Sequence, residues 1–525
     1  MTPIFRKYRT EPVLKVKTAN SKDLLDFCVS GEFSIFDDYG QMVFDKISSN
    51  RKWRIKLESY EPAHFVYSVL IDIKNNPKDA ENVIQKLNRN GYDAKIEVLG
   101  GDFLFQDEIV TKNTQYRIQV GEFNSIEDAK RYRWNCANGW PAEIVREKIR
   151  EPRGVLELFD AEYTKTAKVK NCIHLIPSHP ETETTLYNVI TGRDFPRQHC
   201  TKRVCRWPMT FRIGNQGMDA IGEIPLERYL KGVLAVAMGS NTPLEALKCQ
   251  AVVSRGLALT GLGLCHPDEF FDVCSDTHCQ NFGGVLNSHP RTDRAVEETR
   301  GEVLFHNDEM CNTPYTALCG GHTENGDGFL VRPYASYIKA IYDGPNEDIG
   351  RRKKLDREDH VSTWILSKPN AYCNTNGQLD FSDFEHHKST FRWEISYPRK
   401  ELEDIIRKKT GEDIGTLFDI VPLKRGNSGR LKKIEILGSR KNIKIQSDLH
   451  IRQTLSEDIL NSSCFIIETE LGKDGIPVRF SFIGAGLGHG VGMCQMGAVV
   501  LAAEGKTYPA ILNHYFKNVE LKKIY

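Results

Sequence analysis

The sequence has no apolar run that approaches the ~20 residues needed to span a bilayer. Residues 1–20 have no apolar stretch followed by a small-residue cleavage site, so they do not read as a secretion signal. Neither sign of charge dominates, because 71 Lys and Arg stand against 70 Asp and Glu. That balance gives no electrostatic footprint for nucleic acid. These absences predict a cytoplasmic protein without a nucleic-acid partner or a membrane segment.

Cysteine, by contrast, is abundant, with 14 residues spread from Cys28 to Cys494. In a long chain without an export signal, a disulfide framework is the weaker interpretation. The cysteine content therefore predicts reduced thiols and a metal site.

The chain has 525 residues, more than a single hydrophobic core of ~250–300 residues can organise. Residues 1–60 have no clear pattern, residues 61–150 contain a repeat, and residues 155–525 form a third region. Alternating apolar residues make 155–225 β-rich, and a helical block follows from 226 to about 265. This order predicts a multidomain α+β fold with a small βαβ-type repeat domain near the N-terminus.

The repeat has matching landmarks in its two units. Strand-like residues 67–70 and 116–120 are 49 residues apart (116 − 67), and the Asp-Ala pairs at 79 and 128 have the same offset (128 − 79). Each unit is predicted to form a strand, a helix and a second strand. The units resemble SPOR repeats, which bind peptidoglycan glycan strands in other proteins, and residues 118–123 match best. The alternative is a small packing domain without a ligand.

The helical block begins with an apolar stripe at helical spacing. Its members are Leu226, Tyr229, Leu230, Val233, Leu234 and Ala237. A second helix is predicted to begin with Thr242 as its cap and Pro243 at its first position. Glu245 would then close a capping box.

Five segments, in this order along the chain, resemble the SpoIID/LytB family of stage II sporulation protein D and amidase enhancers. The segments are 225–234, 243–255, 320–324, 486–498 and 511–516. The resemblance covers roughly residues 155–525 and implies a SpoIID-like core. It also implies a protein directed at peptidoglycan glycan strands in the cell envelope, which is at odds with the cytoplasmic prediction.

The resemblance further implies a catalytic acid that this sequence lacks. The sporulation members are lytic transglycosylases, and cleavage of their glycan needs a carboxylic acid to protonate the leaving oxygen. Matching residues 232–235 to the family puts Ala237 at the position of that glutamate, and Gly239 replaces a proline. Among other carboxylates, Glu324 is the best substitute acid, although a solvated loop carboxylate is the alternative. Glu227 and Glu245 have structural explanations at helix starts.

Two Gly-rich loops hold the other candidate residues. His489 is expected either to orient an acid and contact sugar, or to bond its own loop. Cys319 and Cys494 suggest thiol chemistry with a nearby histidine, a second metal site, or inert packing. Leu487 replaces the family's tryptophan, which removes a ring that would stack on sugar. The motif positions expected to bind glycan are Arg255, His322, Gly488, His489, Gly490 and Gln495.

The segment 265–280 clusters soft ligands that suit zinc. The resemblance implies His266, Cys274 and Cys279 as the ligands, with His278 as the alternative histidine. The competing interpretation is two buried cysteines and a surface histidine.

Three functional hypotheses follow. The first is a glycan-directed protein which, if active, is lytic transglycosylase-like, and the second is a non-catalytic glycan-binding or assembly protein. The third is a cytoplasmic enzyme with Cys/His chemistry. A carboxylate in the cleft would favour the first hypothesis. A formed groove without one would favour the second, and clustered thiols and histidines the third.

Overall fold

The computed structural model describes residues 10–48, 51–105, 108–136, 143–191, 199–326, 336–345, 354–367, 369–375 and 390–525. Helices and strands both contribute, in several units, so the predicted α+β class and multidomain organisation are confirmed at that level. In the part of the chain described here, none of the helices is both long and apolar enough to cross a membrane.

Residues 13–61 supply strands to two β-sheets. These strands are β1 (Val13–Ser21), β2 (Leu24–Val29), β3 (Glu32–Asp37), β4 (Met42–Ser48) and β5 (Lys52–Glu61). Large apolar side chains from both sheets meet in the core between them, and the rings of Phe33 and Trp53 lie 5.8 Å apart. The segment that had no clear sequence pattern is therefore part of the main β structure.

The next unit is an antiparallel sheet packed against two helices. Its elements are β6 (His64–Lys74), α1 (Pro77–Arg89), β7 (Ala94–Leu99), β8 (Asp102–Phe105), β9 (Glu108–Lys112), β10 (Gln115–Phe123), α2 (Ile126–Cys136) and β11 (Glu143–Arg150). The sheet order is β11-β6-β10-β7, with β8 and β9 in a separate hairpin. Strands of each repeat unit pair with strands of the other, so the two units share one sheet and one small core.

Seven further strands complete the two large sheets. They are β12 (Arg153–Asp160), β13 (Thr166–Lys170), β14 (Cys172–Pro177), β15 (Thr184–Thr191), β16 (His199–Cys205), β17 (Met209–Gly214) and β18 (Gly217–Pro225). One sheet contains β1-β18-β17-β14-β3-β4, and the other has the order β13-β12-β5-β2-β15-β16. Because β5 pairs with β12, starting at Glu61 and Arg153, the unit 64–150 is inserted between two paired strands.

A segment of three α-helices and four short strands follows, and its helices pack onto the same core. Its elements are α3 (Leu226–Ala237), α4 (Leu244–Thr260), β19 (Val273–Cys274), α5 (Pro290–Glu298), β20 (Glu302–His306), β21 (Glu309–Met310) and β22 (Tyr315–Thr316). Helix α4 is buried along most of its length because α3 and α5 both pack against it.

Residues 393–483 contain a second, separate apolar core. Helix α6 (Glu358–Leu366) precedes this part of the chain, and its buried residues belong to the first core. The elements that contribute to the second core are β23 (Arg392–Pro398), α7 (Arg399–Thr410), β24 (Leu417–Arg425), β25 (Leu431–Gly438), β26 (Ile443–Gln446), α8 (Asp448–Thr454), β27 (Phe465–Leu471) and β28 (Pro477–Ala485). The strands form two sheets, β23-β28-β27 and β24-β25-β26. This core lies inside the region 155–525 that the sequence treats as one SpoIID-like domain.

The C-terminal segment returns to the first core. It contains β29 (Met493–Cys494), α9 (Gln495–Ala503), α10 (Tyr508–Tyr515) and β30 (Glu520–Lys523). Strand β29 runs parallel to β22, and β30 pairs with β20. Isolated bridges join Leu318 to Leu487 and Glu324 to Val491, so the two Gly-rich loops lie side by side.

Candidate functional site

Helix α3 ends at the position for which the resemblance implies an acid. The stripe predicted for this helix is buried at Leu226, Tyr229, Leu230, Val233 and Leu234. Ala237 is the last helical residue and is half-buried, and Gly239 turns the chain with a left-handed φ of 70°. A methyl side chain has no proton to transfer, so Ala237 cannot act in acid–base chemistry.

The predicted capping box at the start of α4 is wrong. No side-chain cap hydrogen bond forms there, and Thr242 Oγ1 instead donates to the carbonyl of Met238 at 2.5 Å. The Glu245 carboxylate accepts from the backbone N–H of Tyr508 at 2.8 Å and from Lys248 Nζ at 2.9 Å. Glu245 therefore connects α4 to the start of α10.

An amide network lies behind Ala237. Gln495 Nε2 donates to the Ala237 carbonyl and to Gln250 Oε1, each at 3.2 Å. Gln280 Nε2 donates to the Ser254 carbonyl at 3.1 Å, and Tyr315 donates to Gln280 Oε1 at 3.2 Å. Sequence reasoning selected Gln495 but missed Gln250 and Gln280, although both lie in segments that it had singled out for other residues. The network fixes the backbone at the end of α3 with neutral groups.

A surface groove opens beside the end of α3. Its lining residues are Ala235, Val236, Gly239, Ser240, Leu286, Ser288 and His289. None of these lining residues carries a carboxylate. One carboxylate reaches the rim indirectly, because Asp293 Oδ2 accepts from Ser288 Oγ at 2.6 Å while its Oδ1 is buried. The groove combines exposed apolar surface at Leu286 and Val236 with hydroxyl and imidazole groups.

Glu324, the predicted substitute acid, is only 3% exposed and is not in this groove lining. Its carboxylate accepts from the backbone N–H groups of Asn325 at 2.9 Å and of Asn427 and Ser428, each at 3.2 Å. Ser428 Oγ adds a hydrogen bond of 2.7 Å. This burial conflicts with both the solvated-loop alternative and the catalytic assignment of Glu324. The carboxylate instead joins its own loop to residues 427 and 428.

The two loop histidines are held by their own backbone. His322 is buried and its Nδ1 donates to the Thr323 carbonyl at 2.9 Å, while His489 Nδ1 accepts from the N–H of Val491 at 3.0 Å. Burial lowers the pKa of His322 and lowers the pKa of His489 to about 4. Both rings are therefore neutral at pH 7.

The space beside the glycines that flank His489 is occupied by neighbouring segments of the chain. Gly488 and Gly490 have φ of 98° and 75°. A Cβ on Gly488 would lie 2.4 Å from Thr316 Oγ1, and one on Gly490 would lie 2.2 Å from Arg430 Cζ. The close approach expected of these glycines is thus made to protein, where the sequence had suggested glycan.

Arg255, also predicted to contact glycan, lies in the interior. Its side chain is 0% exposed and forms a two-fold ion pair with Glu227, with distances of 2.9 and 2.7 Å. The hydroxyl of Tyr525 also donates to this carboxylate. A guanidinium held in this way cannot reach a ligand in the groove, which corrects the predicted binding role.

The segment 265–280 gathers a first cluster of metal-type ligands: His266, Cys274, His278 and Cys279. Their ligand atoms lie within 4.8 Å of one another. His266 Nε2 is 3.2 Å and His278 Nδ1 is 3.6 Å from the sulfur of Cys279. Two sulfurs and two imidazoles at these separations fit a tetrahedral zinc ion. Both histidines, which were alternatives in the sequence, are within reach.

A second cluster joins the two predicted thiols. Cys319 and Cys494 meet Cys373 and Asp343, with all four ligand atoms within 4.8 Å of one another. None of the four side chains is more than 2% exposed. Because substrate cannot reach buried thiols, this arrangement argues against the Cys/His enzyme hypothesis.

The unit 64–150 docks on the loop that carries the first cluster. Lys148 Nζ donates to the Asp268 carbonyl at 2.6 Å, and Arg146 lies 3.5 Å from the Asp268 carboxylate. The same unit also contacts the end of α4, where Asn113 Nδ2 donates to the Leu259 carbonyl at 2.9 Å. The unit therefore contacts this loop at Asp268, two residues after the cluster member His266.

Comparison with known protein families identifies two of these regions. Residues 63–133 match the SPOR domain, and residues 214–306 match the family described as Stage II sporulation protein. Residues 331–492 match a domain of unknown function, DUF8618. The chain thus carries a SpoIID region and a SPOR region, which confirms the resemblance drawn from the motifs.

Three proteins are similar to this chain in sequence, and two of them carry names that agree with this assignment. The chain is 28% identical over 310 residues to an uncharacterised protein of Brachyspira hyodysenteriae, covering 58% of this chain and 69% of that protein. It is 26% identical over 301 residues to the amidase enhancer of Bacillus subtilis, covering 56% of this chain and 40% of the relative. Stage II sporulation protein D of Bacillus subtilis is 24% identical over 329 residues, covering 60% of this chain and 78% of the relative.

Proposed function

We propose that this chain binds the glycan strands of peptidoglycan through the groove at the end of α3 and does not cleave them. The observation that carries the proposal is the groove itself, which lies between the end of α3 and residues 286–289 and has no carboxylate among the lining residues that the structure describes. The SpoIID and SPOR matches support a ligand in the cell wall. The proposal therefore also assigns the chain to the cell envelope.

The loss of cleavage follows from the chemistry of the reaction. A lytic transglycosylase needs one group that protonates the leaving oxygen and then accepts a proton as the anhydro ring closes. General acid–base catalysis contributes ~10²–10⁴-fold, so a chain with Ala237 at this position loses that factor. The amide network behind Ala237 fixes the backbone without supplying a titratable group.

Binding is supported by the surface that the groove offers. Leu286 is 61% exposed and Val236 is 43% exposed, which provides apolar area for the C–H faces of sugar rings. Ser240, Ser288 and His289 line the same groove and offer polar groups to hydroxyls and acetamides. The SPOR region is proposed to supply a second contact to the same strand.

We further propose that the first cluster binds one structural zinc ion. Its role is to hold the loop 265–280, on which the unit 64–150 docks through Asp268. Binding energy in such a loop is folding energy, so the ion fixes the geometry between the two glycan-binding regions.

The decisive experiment compares Ala237→Glu with Ala237→Gln, because the two side chains have the same length and differ only in the acid. Denuded glycan strands are incubated with each protein, and anhydro-muramic products are measured by mass spectrometry. Wild type and Ala237→Gln are expected to release product only at the background rate, whereas Ala237→Glu is expected to raise that rate by up to ~10²-fold. Robust cleavage by the wild type would overturn the non-catalytic proposal.

Binding is tested separately with Leu286→Asp against Leu471→Asp, since Leu471 is 62% exposed and lies on β27, away from the groove. Affinity for glycan strands is expected to fall about tenfold for Leu286→Asp and to stay unchanged for Leu471→Asp. Unchanged affinity in both variants would remove the groove from the proposal and leave the SPOR region as the glycan contact. No binding by the wild type would refute the glycan assignment.

A further inference from the structure

We propose that the second cluster, made of Cys319, Asp343, Cys373 and Cys494, binds a structural zinc ion distinct from that of the first cluster. The four residues come from separate stretches of chain that lie far apart in sequence. Three soft sulfur ligands with one carboxylate form a set that selects zinc over hard cations. This inference is independent of the glycan ligand.

The separations between the ligand atoms match a single tetrahedral ion. Zinc–sulfur bonds of about 2.3 Å and zinc–oxygen bonds of about 2.0 Å imply S···S distances of about 3.8 Å and S···O distances of about 3.5 Å. The sulfurs of Cys319 and Cys373 are 3.6 Å apart, and Cys319 Sγ lies 3.2 Å from Asp343 Oδ2. All four atoms lie within 4.8 Å of one another, which leaves room for one ion at their centre.

The surrounding hydrogen bonds orient the ligands in the way that metal sites require. Asp343 Oδ1 is 3.0 Å from both His514 Nε2 and the hydroxyl of Tyr515, which leaves Oδ2 directed at the sulfurs. The sulfur of Cys494 accepts from the N–H of Cys319 at 3.3 Å and from that of Gly497 at 3.5 Å. The second donor lies in the first turn of α9, where the helix dipole favours a thiolate.

Neighbouring groups leave space and charge suited to such a centre. A Cβ on Gly497 would lie 2.1 Å from the Tyr515 hydroxyl and 2.5 Å from Asp343 Oδ2, so only glycine fits beside the ligands. Four anionic ligands around one divalent ion leave excess negative charge. The guanidinium groups of Arg392 and Arg430 offset it, since they donate to the carbonyls of Gly320 and Cys319 at 3.0 and 3.2 Å.

The burial of the cluster defines its role as structural. Cys319 is 2%, Cys373 1%, and Cys494 and Asp343 0% exposed, so no open coordination position faces solvent. A closed site with four protein ligands holds a fold together and does not activate water. Here it would fix the two Gly-rich loops, which have little regular secondary structure, to the start of α9.

Metal content per chain, measured by elemental mass spectrometry on protein purified without added metal, tests this site. The wild type is expected to contain about two zinc ions, and the double variant Cys274→Ser/Cys279→Ser about one. X-ray absorption of the remaining zinc should then show mainly sulfur neighbours and no imidazole. In contrast, Cys373→Ser/Cys494→Ser should lose one ion, while Cys464→Ser, another buried thiol outside both clusters, should keep both.

Three results would overturn the proposal. One is a Cys274→Ser/Cys279→Ser chain that contains no metal, another is remaining zinc with imidazole ligands, and the third is a Cys319–Cys373 disulfide in unreduced protein. If Cys373→Ser/Cys494→Ser fails to fold, the absorption spectrum of Cys274→Ser/Cys279→Ser still decides, because that variant leaves the second cluster intact.

Discussion

At the scale of single residues, the burial of a polar side chain shows whether it stabilises the fold or faces a ligand. Arg255, Glu324 and His489 all lie in segments that resemble the SpoIID family in sequence, and their residue types suit catalysis or sugar binding. The sequence cannot distinguish these roles, because a guanidinium looks the same in a cleft and in a core. Ala237 is different: its position follows from motif order, and its lack of chemistry follows from residue type alone.

The ion pair between Arg255 and Glu227 leads to the first prediction. Arg255→Met should destabilise the protein by about 3–5 kcal/mol, because it leaves the Glu227 carboxylate buried without its counter-charge. The matched control is Arg294→Met, which removes an exposed i,i+4 pair with Glu298 and should cost less than about 1 kcal/mol. Urea unfolding gives both values. If Arg255→Met is as stable as the wild type but binds glycan weakly, Arg255 contacts the ligand and its structural role is contradicted.

The second prediction concerns pH and His489. Because burial lowers the pKa of this ring to about 4, the folded state resists its protonation. The resulting stability is present above the unfolded pKa near 6.5 and is lost as the pH falls through 4. Between pH 7.5 and pH 5, wild type should lose about 2 kcal/mol more unfolding free energy than His489→Asn.

Asn is chosen at position 489 because its side-chain oxygen can still accept from the N–H of Val491. His179→Asn is the control, since His179 Nδ1 likewise accepts from the N–H two residues later but the ring is exposed. Equal pH dependence of wild type and His489→Asn, measured by urea unfolding at both pH values, would contradict the assignment.

At the scale of elements, an apolar pattern within one helix predicts that helix, whereas contacts between distant segments cannot be predicted from a local pattern. The apolar stripe predicted α3, since that signal lies within a short stretch of chain. The capping box failed because Glu245 binds Tyr508, a residue 263 positions away. Likewise, β1 pairs with β18, and strand pairing across such a separation leaves no local signature.

The docking of the SPOR region gives the third prediction. Limited proteolysis should release a fragment ending near residues 150–155, and Cys274→Ser should speed this release several-fold. The reason is that loss of the proposed zinc loosens the loop carrying Asp268, to which Arg146 and Lys148 are bound. Cys200→Ser, an exposed thiol on β16, is the control. Cleavage spread evenly through residues 61–150 would refute a compact unit.

At the scale of the whole molecule, the chain builds a central body from segments that two units interrupt. The first unit, 64–150, lies between the paired strands β5 and β12. The second core, within 393–483, lies between the two Gly-rich loops in sequence, yet those loops meet in space. Sequence reasoning found the loops by their motifs but did not separate the second core from the first, because which core an apolar residue joins depends on contacts between segments that are distant in sequence.

The junction between the central body and the second core supports the last prediction. Glu324 accepts three backbone N–H groups and one hydroxyl, and two of those N–H groups belong to residues 427 and 428. Glu324→Ala leaves these donors unsatisfied and should cost at least about 3 kcal/mol of unfolding free energy. Hydrogen exchange at 425–430 should accelerate, whereas exchange in β1 should not change.

Glu394→Ala, an exposed glutamate on neighbouring β23, is the control and should change neither stability nor exchange. The same pair of variants separates structure from catalysis at Glu324. A Glu324→Ala protein as stable as the wild type would contradict the structural role, since unsatisfied buried donors cannot be without cost. If that stable variant also abolished glycan cleavage present in the wild type, Glu324 would be the replacement acid. The structural role of the buried carboxylate predicts that Glu324→Ala is less stable than the wild type. The proposed function predicts in addition that neither protein cleaves glycan.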